Sequence, residues 1–280
     1  MNRNIIITGG TGFVGSNLIN AFKKKEYVSY NLGRNKNKFC KNIYWNLRDD
    51  MQNIKLPLDV DTIIHCAAIV GDCNANVREY IDVNVGATLE LLEYGRKVGI
   101  KQFIYISTGG VYGFNDNPSK ESDKCDPHGM YSLSKYFSEK ICMEYMDRMK
   151  ITIIRVFFPY GKDQRGRLIP NLINRILKGE KVILNNEGKP LINPINIMDL
   201  CNIISGIVDK RLEGIFNACG NEIVSIKELC QKISDKFGIK NVQYEFNDKK
   251  CKNLLGNNKR IMDDLHYSIK AKLLDGMELS

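Results

Sequence analysis

The sequence lacks the features of membrane-spanning and secreted proteins. No run of about 18 apolar residues occurs in its 280 residues. Met1–Asn4 leads directly into the strand-like Ile5–Thr8, without the charged and apolar regions of a signal peptide. The nine cysteines include no Cys-x-x-Cys pair; they stand at positions 40, 66, 73, 125, 142, 201, 219, 230 and 251. We therefore expect a cytoplasmic protein whose thiols are reduced and mostly buried.

Histidine is scarce, and the positive charge is not clustered. The three histidines, His65, His128 and His266, are far apart and show no zinc-ligand spacing with cysteine, so we expect no metal site. The formal net charge is +9, but lysine and arginine are spread along the whole chain without basic runs interleaved with aromatics. We interpret the Asn- and Lys-rich segment 35–38 as a solvated face. The charge therefore predicts an anionic small molecule as partner, and neither nucleic acid nor a membrane.

Strand-like and helix-like segments alternate through the first 160 residues. The expected strands are Ile5–Thr8, Val28–Leu32, Thr62–His65, Phe103–Ser107 and Thr152–Val156, and the expected helices are 13–25, 77–98 and 131–149. Each buried parallel strand needs a crossover helix to return the chain to the same end of the sheet. The alternation therefore predicts an α/β fold with a doubly wound parallel sheet of the Rossmann type.

The alternation changes after Tyr160. A helix-like segment, Leu168–Lys178, is followed by a strand-like Lys181–Leu184. A second strand–helix pair, Pro194–Met198 and Asp199–Val208, is expected to return to the main sheet. This organisation predicts a dinucleotide-binding domain, 1–160 plus about 192–210, and a smaller interleaved substrate-binding lobe, about 161–191 plus 211–280.

Three glycines at regular spacing follow the first strand. Gly9 permits a tight turn, Gly12 permits close approach of a pyrophosphate, and Gly15 permits close packing of the helix against the strand. A helix that starts near Phe13 offers free N–H groups and the positive end of its dipole to phosphate. An ordinary glycine-rich turn is the alternative, but the flanking strand and helix favour dinucleotide binding. Thr11, Phe13 and Val14 complete the expected phosphate site.

The end of the second strand indicates which nicotinamide cofactor binds. An acidic side chain at that position would bind the adenosine ribose of NAD, whereas an arginine would meet the 2′-phosphate of NADP. The segment 28–36 contains no carboxylate, and it contains Arg34 and Lys36. Two solvent-exposed charges are the alternative interpretation. We expect NADP or NAD, with NADP favoured.

A tyrosine and a lysine, Tyr131 and Lys135, are four residues apart and therefore share one helix face. A free phenol, with a pKa of about 10, is a poor acid–base catalyst near neutrality. A neighbouring lysine cation would lower this pKa and allow the phenol to exchange a proton with a substrate hydroxyl or carbonyl. The pair is common by chance, but Ser107 and Thr108 end a buried strand at the edge where ligands bind in open α/β folds. Thr108 is thus expected to hydrogen-bond the same substrate oxygen.

These motifs resemble those of the extended short-chain dehydrogenase/reductases, the NAD-dependent epimerase/dehydratase family. The similarity covers nearly the whole chain, in the stretches Thr8–Gly15, Asp61–Ala68, Asn84–Thr88, Ser107–Gly113, Tyr131–Lys135, Arg155–Gly161, Pro194–Asp199 and Gly214–Gly220.

The resemblance implies a role for each matching residue. Tyr131 would be the catalytic acid/base, Lys135 its pKa-tuning partner and ribose ligand, and Thr108 the hydroxyl on the substrate oxygen. The cofactor would be lined by Ser107, Ala67, Ala68 and Asn84, and its nicotinamide carboxamide would be approached by Phe158 and Pro159. Helices near 77–98 and 131–149 would pair across a homodimer.

Three positions depart from the family pattern. Gly109 and Gly110 stand where many members carry the Asp-Glu pair that eliminates water, so a 4,6-dehydratase is not expected. Phe158 replaces a usual asparagine, and the segment 189–193 lacks the arginine that often binds the substrate diphosphate. Other cations would have to meet the phosphates: Arg167, Lys249 or Lys250.

The sequence therefore predicts an NAD(P)-dependent oxidoreductase or epimerase acting on a nucleotide-linked sugar. Hydride transfer at a sugar carbon, by C4 keto reduction or by epimerisation, would use Thr108, Tyr131 and Lys135. The alternative is a catalytically silent NAD(P)-sensing or scaffolding protein on the same fold.

Overall fold

The structure of the chain is a computed structural model that describes residues 3–25, 27–52, 54–57, 59–71, 75–249 and 251–278. Three residues named above, Met1, Cys73 and Lys250, lie outside the described residues.

Thirteen strands and eight α-helices occur in the described residues. The strands are β1 (Asn4–Thr8), β2 (Val28–Leu32), β3 (Lys41–Ile43), β4 (Val60–His65), β5 (Gln102–Thr108), β6 (Lys150–Val156), β7 (Pro159–Tyr160), β8 (Val182–Asn185), β9 (Leu191–Ile192), β10 (Ile195–Asn196), β11 (Gly214–Ala218), β12 (Val224–Ser225) and β13 (Tyr244–Asn247). The helices are α1 (Phe13–Lys23), α2 (Val77–Tyr80), α3 (Ala87–Val98), α4 (Gly129–Met143), α5 (Leu168–Leu177), α6 (Ile197–Lys210), α7 (Ile226–Phe237) and α8 (Lys259–Leu265). A π-helical turn, Ile81–Gly86, joins α2 to α3.

A seven-stranded sheet, fully parallel, forms the centre of the fold in the order β11-β6-β5-β4-β1-β2-β3. Successive side chains of a strand point to opposite faces, and in β1 both faces are buried. Ile5 and Ile7 pack in one apolar core with residues of α1 and α6, and Ile6 packs in a second core with residues of α3 and α4. The Rossmann-type α/β fold expected from the alternation is therefore confirmed.

The edge of the sheet beside β6 differs from expectation. The segment 194–198 does not enter the main sheet, because its short strand β10 pairs with β7 in a separate two-stranded sheet. The position next to β6 is taken by β11, whose residues 214–218 were expected in the smaller lobe. A two-residue strand offers too few hydrogen bonds to compete for this edge with the five-residue β11. Only α6, which follows β10, returns to the main sheet and packs on it.

A third apolar core, beyond the main sheet, holds the smaller lobe together. It is formed mainly by α5, α7 and the paired strands β8 and β13, with buried residues that include Ile169, Leu184 and Leu229. Within the described residues, no helix is long and apolar enough to cross a membrane. In the same part of the chain, no cluster of three or more His, Cys, Asp or Glu side chains could hold a metal ion.

Candidate active site

A crevice of about 990 Å³ lies where the carboxyl ends of β1, β2, β4, β5 and β6 meet the start of the smaller lobe. Parallel strands bring their carboxyl ends to one edge, and ligands of open α/β sheets bind there. Fifteen of the sixteen predicted site residues line this crevice: Gly9, Thr11, Gly12, Phe13, Val14, Gly15, Arg34, Ala67, Ala68, Ser107, Thr108, Tyr131, Lys135, Phe158 and Pro159.

The glycine turn is shaped to admit backbone groups and no side chains. Gly9 has φ +67°, a left-handed conformation, and its carbonyl accepts the N–H of Gly12 at 2.9 Å. A Cβ on Gly15 would lie 2.3 Å from the Gly9 oxygen. Helix α1 begins directly after Gly12, without a side-chain cap and without an acidic residue in its first turn. Its free N–H groups therefore suit the pyrophosphate of a dinucleotide.

Two buried asparagines that were not predicted from the sequence hold this turn. The N–H of Gly10 donates to Oδ1 of Asn31 at 3.1 Å, and Nδ2 of Asn37 donates to the Gly10 carbonyl at 2.7 Å. Asn42 ties the two together, because its Oδ1 accepts from Nδ2 of Asn31 and from the N–H of Asn37. Asn37 is 8% exposed, so the interpretation of segment 35–38 as a wholly solvated face was wrong at this residue. For Asn31, its place near the end of a buried strand was the available signal; Asn37, in the loop after that strand, gave none.

The segment after β4 forms the next part of the wall. The N–H of Ala67 donates to Oγ1 of Thr8 at 3.1 Å, and that hydroxyl also hydrogen-bonds Nδ1 of His65 at 2.7 Å. A Cβ on Gly9 would lie 2.9 Å from the Ala67 nitrogen, so the two loops touch through backbone. This contact brings Ala67 and Ala68 to the crevice beside the glycine turn.

Asn84 is the one predicted cofactor ligand that does not line the crevice. It is 1% exposed, and both polar atoms of its side-chain amide form hydrogen bonds within the protein, behind the crevice wall. Oδ1 accepts the N–H of Ile69 at 2.8 Å, while Nδ2 donates to the Ile69 carbonyl and, at 2.9 Å, to Oγ of Ser134 on α4. Asn84 therefore fastens the loop after β4 to α4 and leaves no group for a ligand.

The end of β5 delivers two hydroxyls to the crevice. Oγ of Ser107 donates to Oε1 of the buried Glu139 at 2.5 Å, and Glu139 also accepts from the guanidinium of Arg155. Oγ1 of Thr108 accepts the N–H of Gly110 at 3.1 Å and so caps the short turn that follows.

Aromatic and hydroxyl groups fill the space beside Gly109 and Gly110. A Cβ on Gly109 would lie 2.3 Å from the ring of Phe157, and a Cβ on Gly110 would lie 2.6 Å from Oγ of Ser132. Neither position has room for a larger side chain without rearrangement. This turn therefore needs glycine for packing.

Helix α4 places Tyr131 and Lys135 one turn apart, as predicted, but their side chains have different surroundings. Burial raises the pKa of Tyr131 to about 12, against smaller lowering effects of the Arg167 charge and the Thr108 hydroxyl. The Lys135 ammonium instead lies 4.0 Å from the ring centroid of Tyr105, and burial lowers its pKa to about 8. The expectation that Lys135 lowers the pKa of Tyr131 was wrong in this arrangement, because sequence spacing fixes a helix face and not the direction of a long side chain.

The chain enters the smaller lobe along the far wall of the crevice. Phe158 adopts φ +41°, a left-handed conformation that turns the chain after β6. Pro159 then pairs with Ile195, and both Phe158 and Pro159 line the crevice. Among the expected phosphate ligands, Arg167 lines the crevice. Its side chain crosses the crevice to Gly71 in the loop after β4, because a Cβ added to Gly71 would lie 3.3 Å from Nη1 of Arg167. Lys249 is exposed and lies outside the crevice lining.

Two more features of the crevice were not predicted from the sequence. Trp45 and Leu47, which follow β3, line it beside Arg34, and Arg165 lines it beside Arg167. In the segment where the resemblance suggested a missing arginine, Ile192 is fully buried in the third core. That segment therefore supplies apolar packing, and the cations of the crevice come from other loops.

Comparison with known proteins identifies what the chain resembles. The model of the NAD dependent epimerase/dehydratase family matches residues 5–219. A UDP-N-acetyl-alpha-D-glucosaminuronate decarboxylase of Bacillus cytotoxicus is 26% identical, over 83% of this chain and 80% of that protein. A dTDP-D-glucose 4,6-dehydratase of Dictyostelium discoideum is 28% identical, over 82% of this chain and 61% of that protein.

The solved structures show the same fold. The structure of UDP-glucuronic acid 4-epimerase from Bacillus cereus, in complex with UDP-glucuronic acid and NAD, superposes with a TM-score of 0.85. It is 24% identical in sequence, and the match covers 98% of this chain and 96% of that chain. Because that protein holds NAD, the expected preference for NADP gains no support from it.

Proposed function

The chain belongs to the NAD dependent epimerase/dehydratase family, and on that premise we propose that it is an oxidoreductase acting at one carbon of a nucleotide-linked sugar. The relatives named above are enzymes of UDP- and dTDP-linked sugars. The proposal depends most on one observation, the opening of Thr108, Tyr131 and Lys135 onto a single crevice together with the glycine turn.

The residues of the crevice fit a nicotinamide dinucleotide. At Gly9 and Gly15 a Cβ would collide with neighbouring backbone, so glycine keeps the turn tight, and the uncapped start of α1 faces the crevice. When bound, such a cofactor supplies the hydride donor or acceptor. Lys135 would hold its ribose, and Ser107, Ala67, Ala68, Phe158 and Pro159 would line its nicotinamide half.

Tyr131 is the group proposed to move the proton. With a pKa of about 12 it keeps its proton at neutral pH, so it is ready to donate to a carbonyl oxygen that becomes a hydroxyl. Thr108 would hydrogen-bond the same oxygen and stabilise its developing charge. An epimerase must first remove a proton from the substrate hydroxyl, which requires the phenolate. Tyr131 would therefore serve either outcome, donating a proton in C4 keto reduction and both accepting and donating one in C4 epimerisation.

Elimination of water is not part of the proposed reaction. The Asp-Glu pair that many relatives carry after the hydroxyl residue is replaced by Gly109 and Gly110, and both positions are closed by packed neighbours. Elimination requires a base that removes a proton from the neighbouring sugar carbon. No carboxylate stands at these positions to act as that base. This supports the proposal that the chain is not a 4,6-dehydratase.

Arg167 is proposed to bind the anionic part of the substrate. Its guanidinium crosses the crevice, lowers the pKa of Tyr131 and makes no ion pair with any carboxylate of the described residues. An unpaired arginine in a crevice suits a diphosphate, which it can bind with two parallel hydrogen bonds.

A panel of nucleotide sugars and their 4-keto forms tests the proposal, with the absorbance of the reduced cofactor as readout. Net oxidation of the cofactor indicates a reductase, and interconversion without net oxidation indicates an epimerase. Tyr131→Phe should keep cofactor affinity and reduce turnover by a factor on the order of 100 or more. Tyr136→Phe, on the same helix but outside the crevice lining, is the control. Unchanged turnover in Tyr131→Phe would refute the assignment, and cofactor binding without turnover on any sugar would favour the silent sensor or scaffold.

We also propose that the protein is a homodimer. Apolar side chains remain exposed on the helices expected to pair, among them Val77 (59% exposed), Leu89 (42%) and Phe137 (45%). Helices α3 and α4 pack side by side, so these residues can contribute to one surface. Light scattering should give twice the chain mass, and Phe137→Glu should convert the dimer to a monomer.

A further inference from the structure

The ammonium of Lys135 rests on the face of a buried aromatic ring. Its Nζ lies 4.0 Å from the ring centroid of Tyr105, with Tyr105 fully buried and Lys135 2% exposed. We propose that Tyr105 is a positioning residue that holds Lys135 as a cation at the floor of the crevice. This inference rests on the proposed function, in which Lys135 binds the ribose of the cofactor.

Other electrostatic partners of Lys135 are occupied or weak. The carboxylate of Glu139, one turn further along α4, accepts hydrogen bonds from Arg155 and Ser107. Within the described residues, Lys135 forms no ion pair and no hydrogen bond, so the negative face of the Tyr105 ring is its closest favourable contact. The titratable groups that face it come from β4, the loop after it, β5 and α4: His65, Cys66, Tyr105, Glu139 and Cys142.

The thiols and the imidazole do not replace the ring as partners. Burial raises the pKa of Cys66 to about 12, and that of Cys142 further, so both thiols are neutral. Burial also lowers the pKa of His65 to about 3, so its ring carries no charge. A cation–π contact is strongest where water is excluded, which is the situation of Lys135 and Tyr105.

The contact matters because Lys135 is close to losing its charge. Burial already lowers the pKa of Lys135 to about 8. Without the ring face the desolvated ammonium would be still less favourable, and a fall of the midpoint by roughly one unit would leave about half of this lysine uncharged at pH 7. A neutral amine has one hydrogen-bond donor fewer and no charge to offer a ribose.

Three variants separate the electrostatic role of the ring from its packing. Tyr105→Leu removes the aromatic face, whereas Tyr105→Phe keeps it and deletes only the hydroxyl. Phe103→Leu is the matched control, because Phe103 is an equally buried aromatic residue on the same face of β5 but does not touch Lys135.

The measurement is a pH titration of the protein labelled with carbon-13 lysine, with the Lys135 signal assigned from its loss in Lys135→Met. The wild type should show a ring-current-shifted side-chain signal and a midpoint near pH 8. In Tyr105→Leu the ring-current shift should disappear and the midpoint should fall by roughly one unit. Both should persist in Tyr105→Phe and in Phe103→Leu. A Tyr105→Leu protein that keeps the wild-type midpoint and shift would overturn the proposal.

Binding of NADH and NADPH provides a second readout. At pH 9, where the charged fraction of Lys135 should differ about tenfold, Tyr105→Leu should bind roughly tenfold more weakly than Tyr105→Phe, and the difference should shrink to about twofold at pH 7. If Tyr105→Leu does not fold, phenylalanine analogues with successive ring fluorines at position 105 weaken the ring face at nearly constant shape. The lysine midpoint should then fall stepwise, and a constant midpoint would refute the inference. Failure of the wild type to bind either cofactor would instead refute the proposed function, while leaving the lysine titration valid.

Discussion

Arg155 and Glu139 form an ion pair inside the protein, with Nη2 2.7 Å from Oε2 and side chains that are 3% and 0% exposed. The carboxylate receives further hydrogen bonds from Nε of Arg155 and from Oγ of Ser107, which lines the crevice. The ion pair therefore connects the core of the sheet to the wall of the proposed cofactor site.

Breaking this pair should destabilise the fold strongly. Arg155→Met leaves the Glu139 carboxylate buried and unpaired, so the free energy of unfolding should fall by about 3–5 kcal/mol. Replacing both partners, as Arg155→Met with Glu139→Leu, should cost less than the single change because no charge remains buried. Urea unfolding measures both values. Arg48→Met breaks the exposed Arg48–Glu79 pair and should cost less than about 1 kcal/mol; an equal cost at the two sites would contradict the prediction.

The buried charge of Lys135 should make stability depend on pH. Its pKa is about 8 in the folded protein, below the value of 10.5 expected in the unfolded chain. Between these pH values the unfolded chain binds the extra proton, so this lysine makes the free energy of unfolding rise with pH. Below pH 8 the penalty is fully present, and Lys135→Met should be more stable than the wild type by up to roughly 3 kcal/mol.

The gain should disappear near pH 10.5, and chemical denaturation over the alkaline range checks this. Lys140→Met, an exposed lysine on the same helix, is the control and should show no such trend. A constant difference between the wild type and Lys135→Met across the range would show that the lysine is not desolvated.

The turn after Thr108 should reject even a methyl group. Gly109→Ala places a Cβ 2.3 Å from the ring of Phe157, and we expect a loss of about 1–3 kcal/mol in the free energy of unfolding. Phe157→Leu should restore part of this loss, so a double-mutant cycle should show coupling between the two positions. Gly95→Ala, where the nearest side-chain atom would be 3.5 Å away, serves as control and should be tolerated. Additive effects of Gly109→Ala and Phe157→Leu would rule out the steric explanation.

Arg34 should decide between the two nicotinamide cofactors. It follows β2 at the crevice wall, with no acidic residue in the segment 28–36. Arg34→Ala should weaken binding of NADPH roughly tenfold and binding of NADH little, because only the former has a 2′-phosphate for the guanidinium. Isothermal titration measures both affinities, with Lys36→Ala, outside the crevice lining, as control. Equal losses for the two cofactors would remove the basis for an NADP preference.

Patterns that are local in the chain could be recognised from the sequence. The alternation of apolar strands and amphipathic helices predicted the parallel sheet, because a helix buries one apolar stripe and a strand inside the sheet buries both of its faces. The spacing of Gly9, Gly12 and Gly15 between a strand and a helix predicted the phosphate turn, and a Cβ on Gly15 would indeed strike the Gly9 carbonyl of the same turn. The four-residue spacing of Tyr131 and Lys135 predicted their common helix.

The tertiary structure alone decided which distant segments meet. In the folded protein β11 occupies the edge beside β6, and Asn31 and Asn37 contact the glycine turn. Asn84 points away from the crevice. The tertiary structure also directed Lys135 onto Tyr105 rather than toward Tyr131. Periodicity and spacing determine which face of an element is buried, but the partner on that face depends on contacts between residues far apart in the chain, and these form only when the whole core packs.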